Sequence, residues 1–242
     1  MNCKEKSATF FTYLKKPQKL KVKKIKKKIL KNWQAENSFY QNSDTSRISK
    51  LIYQYEIYKM IKNLPGDVLE FGVFKGSSLI KFLTFREILE NSFSRKFYAF
   101  DAFGKFPKKN TKKFDKEFIK KFEREAGVGL NLEKLNNILV KKNFKNFNLI
   151  KGEILKTSKN FIRKNKNLKI ALMHLDMDTY LVTKKILERF YNLVSNNGII
   201  LIDDYGVTVG VTKAVDEFIK KKKNISLRKL SFYKQPSYII KK

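Results

Sequence analysis

The chain has 242 residues and a formal net charge of +32, from 54 Lys and Arg against 22 Asp and Glu. Its 42% hydrophobic and 14% aromatic content suffices for the core of one α/β domain, and no apolar run reaches the length of a membrane span. A single cysteine, Cys3, and a single histidine, His174, exclude an internal disulfide and a cysteine-based zinc site and fit a reducing cytoplasm.

The basic excess is nearly all Lys, alongside abundant Asn, Ile and Phe, residues that share A/T-rich codons. Arg is scarce and is not interleaved with aromatics as on a nucleic-acid surface, so nucleic acid is not the expected partner.

Residues 1–44 read as a basic arm. The opening MNCKEKSATFFTYLKK has neither an uninterrupted apolar segment nor a small-residue cleavage site, so no signal peptide is expected. Ten lysines and no acid fall between Lys15 and Lys31. Val22, Ile25, Ile29 and Trp33 recur at helical spacing, which predicts a basic amphipathic helix. Segment 15–33 is thus a candidate for peripheral contact with an anionic membrane surface, at the inner face of the membrane. A solvated helix and a homodimer contact are the competing readings.

Residues 45–242 read as the main domain. A helix starting at Thr45 or Ser46 presents Ile48, Leu51, Ile52, Tyr55, Tyr58 and Ile61 on one face and stops at Pro65-Gly66. The strand DVLEFG (67–72) leads through VFKGSS (73–78) into a helix ending near Glu90. A second strand, Phe97 to Phe100, ends at Asp101. Residues 104–146 are a Lys-rich insertion with helical patterns near 115–126 and 132–142 and a hinge at Gly127 and Gly129. It is a candidate lid, its lysines being either a solvated surface or a contact for a phosphate. Strands follow at 147–150, 171–175 and 199–202, with helices near 182–194 and 213–222. Ser226–Tyr233 and Ser237–Ile240, split by Gln235-Pro236, read as a terminal β-hairpin. This alternation predicts an α/β fold with a doubly wound, mostly parallel seven-stranded sheet.

Two sets of strand ends carry the chemistry. After the first strand comes E-x-G-x-x-x-G (Glu70, Gly72, Gly76), where glycines let a ligand approach the backbone. It is neither G-x-G-x-x-G nor G-K-[ST], which argues against a dinucleotide or an NTP phosphate loop. Asp101 sits where nucleotide folds place an acid on a ribose hydroxyl, and Glu70 suits a cationic amino group. A ribose with a charged amino-acid tail and no phosphate describes S-adenosylmethionine. The alternative is a tight turn common to many α/β proteins. The second set is MHLDMDTY (173–180) and GIILIDDYG (198–206), apolar runs ending in Asp176 and Asp178 and in Asp203 and Asp204. Four carboxylates at neighbouring strand ends repel unless a cation compensates them, and all-oxygen ligands favour Mg²⁺ over Zn²⁺. Helix capping is the plainer explanation, but it accounts for one Asp per strand and not two. His174 alternates with Asp176 and is either near the acceptor or a satisfied core residue.

GDVLEFGVFKGSS (66–78), YAFDAFGKFP (98–107), HLDMDTY (174–180) and IDDYGVTVGVTKAVDEF (202–218) occur in the order found in the macrocin/novobiocin-type (TylF-like) sugar O-methyltransferases, which the chain resembles over roughly residues 45–220. The resemblance implies a class I, Rossmann-like methyltransferase fold, S-adenosylmethionine and Mg²⁺ as cofactors, and a sugar hydroxyl as acceptor, in a nucleotide sugar or a glycoconjugate. It places Asp176, Asp203 and Asp204 as metal ligands and Asp178 as the general base. It places Glu70, Gly72, Ser77 and Asp101, with Gly76, in the cofactor loop. Residues 1–44 have no counterpart, and 104–146 match loosely. A catechol-type small-molecule O-methyltransferase, and a basic binding protein without catalysis, are the alternatives. The expected location is cytoplasmic.

Overall fold

The computed structural model describes residues 16–107, 109, 111–222 and 224–242, with side chains of the first helix from residue 29 onward. The chain divides into two compact units, one up to Ile48 and one from Ser49 to Lys242. The first is built on helix α1 (Lys16–Asn42). The expected basic helix is present and runs on to Asn42, with Ile29, Leu30 and Trp33 exposed. Lys15 and the side chains of Val22 and Ile25 lie outside the described residues. Among the described residues no helix is long and apolar enough to cross a membrane.

Helix α2 (Thr45–Ile61) begins one residue after Asp44, whose carboxylate accepts from the Ser46 N–H at 2.8 Å and caps it. Its buried residues are Tyr53, Gln54, Ile57, Tyr58 and Ile61, while Ile52 is exposed. The buried stripe is therefore turned from the expected one. At i, i+3, i+4, i+7 and i+8 spacing it starts from Lys50.

The main unit then runs β1 (Asp67–Phe71), α3 (Ser77–Leu89), β2 (Phe97–Asp101), α4 (Lys113–Ala126), α5 (Leu132–Lys141), β3 (Phe147–Lys151), α6 (Ile154–Lys164), β4 (Ile170–Leu175), α7 (Tyr180–Phe190), β5 (Val194–Ile202), α8 (Val209–Lys221) and β6 (Ser237–Ile240). The sheet order is β3-β2-β1-β4-β5-β6. All pairs are parallel except β5 with β6. The chain winds outward from β1 to β3 and then returns to place β4 on the other side of β1. That makes the β1/β4 boundary the switch point, the place where such sheets bind ligands.

Both faces of the sheet are covered. Val68, Leu172 and Leu201 pack with Phe82 and Ile57 on one face, and Leu69, Met173 and Ile200 pack with Ile186 and Val215 on the other. Each fully buried Leu or Phe contributes about 1.5–3 kcal/mol. All six residues of β4 are buried, which is why it reads as a continuous apolar run. Glu70 and His174 are register partners across β1 and β4, a polar pair in the first of these apolar layers.

The fold is α/β and doubly wound as expected, with six strands among the described residues instead of seven. Residues 226–233 do not form a hairpin strand. Only Arg228 bridges β6, through paired 2.8 Å hydrogen bonds with Tyr238. The rest peels away because Leu230 and Tyr233 pack onto the core and the Leu230 N–H reaches the Tyr53 hydroxyl at 3.2 Å. Helix α7 ends at Phe190, earlier than expected, and β5 begins at Val194. Helix α6 is one that sequence periodicity leaves unassigned. Glu153 caps it, accepting from the Leu155 and Lys156 N–H groups.

Candidate active site

The ends of β1 and β2 are knitted together by backbone groups. Asp101 Oδ2 accepts from Val73 N at 2.7 Å and Phe74 N at 3.1 Å, and its Oδ1 accepts from Phe103 N at 2.6 Å. Each oxygen has two lone pairs, so Oδ1 keeps room for a further donor such as a ribose hydroxyl. Gly72 has φ +88°, and a Cβ there would collide with the Asp176 carbonyl. The glycine thus permits a close approach of β1 to the chain leaving β4, rather than to a ligand alone. Gly76, at φ +80°, heads α3 in the left-handed conformation without a side-chain cap, so the first N–H groups of α3 are open to an anion. Ser77 is the exposed first residue of that helix.

Glu70 is buried. Its Oε1 lies 3.2 Å from His174 Nδ1, and its Oε2 has no hydrogen-bond partner among the described residues. Burial pushes its pKa above the usual carboxylate value, against the opposing pull of His174.

The ends of β4 and β5 are brought level by two ladder bonds, Asp176 N to Phe71 O at 2.8 Å and Asp203 N to Leu175 O at 3.0 Å. Ligand atoms of His174, Asp176 and Asp203 lie within 4.8 Å of one another, and so do those of Asp176, Asp178 and Asp204. Asp176 belongs to both sets, so the four acids form one cluster. Asp178 takes φ +60°, a left-handed turn that Asp tolerates. It therefore leaves the extended path that its i+2 spacing from Asp176 suggests.

Lys50, on the buried stripe of α2, places Nζ 2.6 Å from Asp203 Oδ2. His174 Nε2 lies 3.7 Å from the other oxygen of Asp203, an ionic contact too long for a hydrogen bond. Burial alone would lower the His174 pKa. The carboxylates of Asp203, Glu70 and Asp176 outweigh it and push it up to about 10. Burial also works against the charge on Lys50, and Asp203 and Asp176 more than compensate, raising its pKa. Burial pushes Asp203 up as well, but His174 and Lys50 prevail and hold it below the usual range. Asp176 and Asp204 are pushed well up, first by burial and then by their acidic neighbours. Burial and the Asp176 charge bring Asp178 up to about 7.

Four carboxylates thus face two cations. Asp203 Oδ1 and Asp204 Oδ2 are buried with no hydrogen-bond partner among the described residues. Once ionised, the acids outnumber the cations, one of which, His174, is shared with Glu70, and that excess and the oxygen donors fit a hard divalent cation.

The insertion closes against this region. Leu130 N donates to Phe74 O at 2.9 Å, and the Phe74 ring packs on Phe122 of α4. The buried Asp115 accepts from the Tyr180 N–H at the start of α7. Starting at Tyr205, the residue after Asp204, a cavity of about 500 Å³ is lined by Tyr205, Gly206, Arg228, Lys229, Lys234 and Ser237. Ser237 is the register partner of Ile202, which puts the cavity at the carboxyl end of β5.

Sequence reasoning missed Lys50, which lies 126 positions before Asp176 and is one lysine among many. Its one signal is the i+3, i+7 and i+8 spacing to Tyr53, Ile57 and Tyr58. His174 was singled out, but not its place between two carboxylates.

The family model for macrocin-O-methyltransferase (TylF) matches residues 10–229. No curated protein sequence matches. In fold the chain is similar to the O-methyltransferase NovP, with a TM-score of 0.68, 20% identity and 80% of each chain covered. It is also similar to the calicheamicin methyltransferase CalS11, with a TM-score of 0.66, 20% identity and 94% of each chain covered. An apo structure of CalS11, a TDP-rhamnose 3'-O-methyltransferase, gives 0.62 at 20% identity over 94% of this chain and 96% of that one.

Proposed function

Because the chain belongs to the macrocin-O-methyltransferase (TylF) family, we propose that it transfers a methyl group from S-adenosylmethionine to a sugar hydroxyl with the help of Mg²⁺. The observation that carries this reading is the acidic cluster at the ends of β4 and β5, where four carboxylates meet two cationic side chains. Asp176, Asp203 and Asp204 would hold the cation, which lowers the pKa of a hydroxyl beside it. On the donor side, Asp101 would meet the ribose, and the open N–H groups at Ser77 would meet the amino-acid carboxylate.

The residues divide the remaining work. A sugar hydroxyl is a poor nucleophile until its proton leaves. Asp178, poised near neutrality at about 7, accepts that proton on a carboxylate oxygen as the oxygen–methyl bond forms and the methyl–sulfur bond breaks. The leaving group departs as a neutral thioether, so no general acid is required. Lys50 and His174 flank Asp203 on its two sides, His174 orienting it and Lys50 neutralising it until a cation arrives. The Phe74–Phe122 contact of the insertion keeps water from the reacting atoms. A phosphate-bearing acceptor, such as a nucleotide sugar, is supported by the basic cavity next to Asp204. It is the acceptor class of the TDP-rhamnose methyltransferase that shares the fold.

Labelled methyl transfer to a panel of nucleotide sugars and free glycosides, with and without EDTA, tests this reading. Transfer that stops in chelator and returns with Mg²⁺ is expected. Full transfer in chelator overturns the cation's role, and no transfer to any sugar overturns the acceptor class.

A further inference from the structure

His174 is the only histidine, and its side chain is fully buried between two acids. Nδ1 faces Glu70 Oε1 at 3.2 Å, and Nε2 faces Asp203 Oδ1 at 3.7 Å. The Phe82 ring packs edge-on against the imidazole at 5.5 Å between centroids, and β4 is paired on both sides, to β1 and to β5. Its ring is thus held by neighbours from three elements. The two acids it separates belong to different halves of the site. Glu70 lies two residues before Gly72 of the donor loop, and Asp203 follows β5 in the acidic cluster.

We infer that His174 is a positioning residue that couples the two halves, so that an occupied donor site strengthens cation binding and the reverse. The coupling rests on the donor and cation sites proposed above. The physical basis is the row itself. A rigid ring with two N–H positions on opposite sides can orient a carboxylate at each end at once. The row is also under-satisfied. Glu70 Oε2, His174 Nε2 and Asp203 Oδ1 are all buried and have no hydrogen-bond partner among the described residues. Unpaired buried polar atoms are costly, so a contact that completes the row is favourable. A donor amino group held at the unpartnered Glu70 Oε2 would therefore fix the imidazole, and the imidazole fixes Asp203.

This linkage differs from a packing role in what it predicts. Outer partners of cation ligands typically change affinity about 10–100-fold when removed, whereas packing alone changes stability. Coupling must also be reciprocal, because both routes to the doubly loaded protein have the same free energy.

The test is calorimetric titration of Mg²⁺ into the whole chain, with and without S-adenosylhomocysteine as the donor-site probe. In the parent protein the probe is expected to tighten Mg²⁺ binding by about 5–150-fold, the usual range of coupling. His174→Asn keeps an N–H near the Nδ1 position and loses the arm toward Asp203. It is expected to weaken Mg²⁺ about 10–100-fold and to bring the coupling factor to one. His174→Gln keeps an N–H near the Nε2 position and loses the arm toward Glu70. It is expected to retain Mg²⁺ affinity in the absence of the probe and also to lose the coupling. Either variant alone suffices, with near-UV circular dichroism checking its fold. An unchanged coupling factor in a folded variant overturns the inference, and so does a factor of one in the parent. A parent that binds neither Mg²⁺ nor the probe contradicts the functional reading instead.

Discussion

At the ends of β1 and β2, one carboxylate, Asp101, receives three backbone N–H groups. At the ends of β4 and β5, four carboxylates crowd together around two cationic side chains. The first arrangement is satisfied by the fold itself, since loop geometry supplies the donors. The second is held in place by ladder hydrogen bonds and left electrostatically incomplete. Preformed backbone contacts suit a ligand of fixed shape. An unbalanced buried charge suits a cation, because the same cluster that costs stability when empty binds strongly when filled.

The sharpest way to break this comparison is at the acidic half. Asp178→Asn is expected to lower kcat by about 10²–10⁴-fold, the usual contribution of a general base, while the affinity for S-adenosylhomocysteine stays unchanged. Asn tolerates the left-handed backbone at this position, so the fold should persist. Steady-state kinetics beside calorimetric binding would show it, and a rate within a few-fold of the parent removes Asp178 from that role.

The mirror-image change lies in the other half. Asp101→Asn takes away one carboxylate oxygen and leaves a loop N–H unsatisfied, a cost of about 1–3 kcal/mol. Probe affinity should fall about 5–150-fold at that cost, with Mg²⁺ affinity in the absence of the probe unaffected. Equal loss of both ligands means that the two halves are not built separately.

The smallest effect belongs to Lys50. Lys50→Met removes the ammonium from Asp203, and the cation-free protein should lose about 1–3 kcal/mol of stability. The thermal shift on adding Mg²⁺ should grow, because one competing positive charge is gone. A shift that shrinks instead would make Lys50 a supporter of cation binding.

The sequence made the acidic half legible because β4 and the last four residues of β5 are buried runs ending in acids, and such runs mark strand ends without any tertiary information. It marked Gly72 correctly as special, but the reason is the Asp176 carbonyl pressed against it, a contact between elements 104 residues apart. Lys50 was hidden for the same reason. Its ion pair depends on which stripe α2 buries, and the apolar residues of that helix fit two stripes. Residues 226–233 read as a hairpin strand before Gln235-Pro236, yet Leu230 and Tyr233 gain more by covering the core than by pairing. Helix α6 was invisible because it begins at Glu153, a residue type that seldom caps helices.

The central claim is that the acidic cluster awaits a divalent cation, and its pH dependence follows from the shifted acids. Asp176, Asp178 and Asp204 titrate above the unfolded value of 3.8, Asp178 at about 7. The folded state therefore holds protons that the unfolded state has released, and the cation-free protein loses stability as pH rises above about 4, the Asp178 contribution being lost through about 7. The contribution of His174 is present below its unfolded pKa of 6.5 and is lost as pH rises through about 10, in the same direction. Mg²⁺ competes with the protons on the acids, so it should stabilise little when they are held and much when they are gone. The direct measurement is thermal unfolding with and without Mg²⁺ at about pH 5.5 and about pH 8.5. The account predicts a larger Mg²⁺-induced rise in Tm at the higher pH, about 2–4 °C for each kcal/mol of added binding. A rise that is equal at both pH values, or none at either, would contradict it.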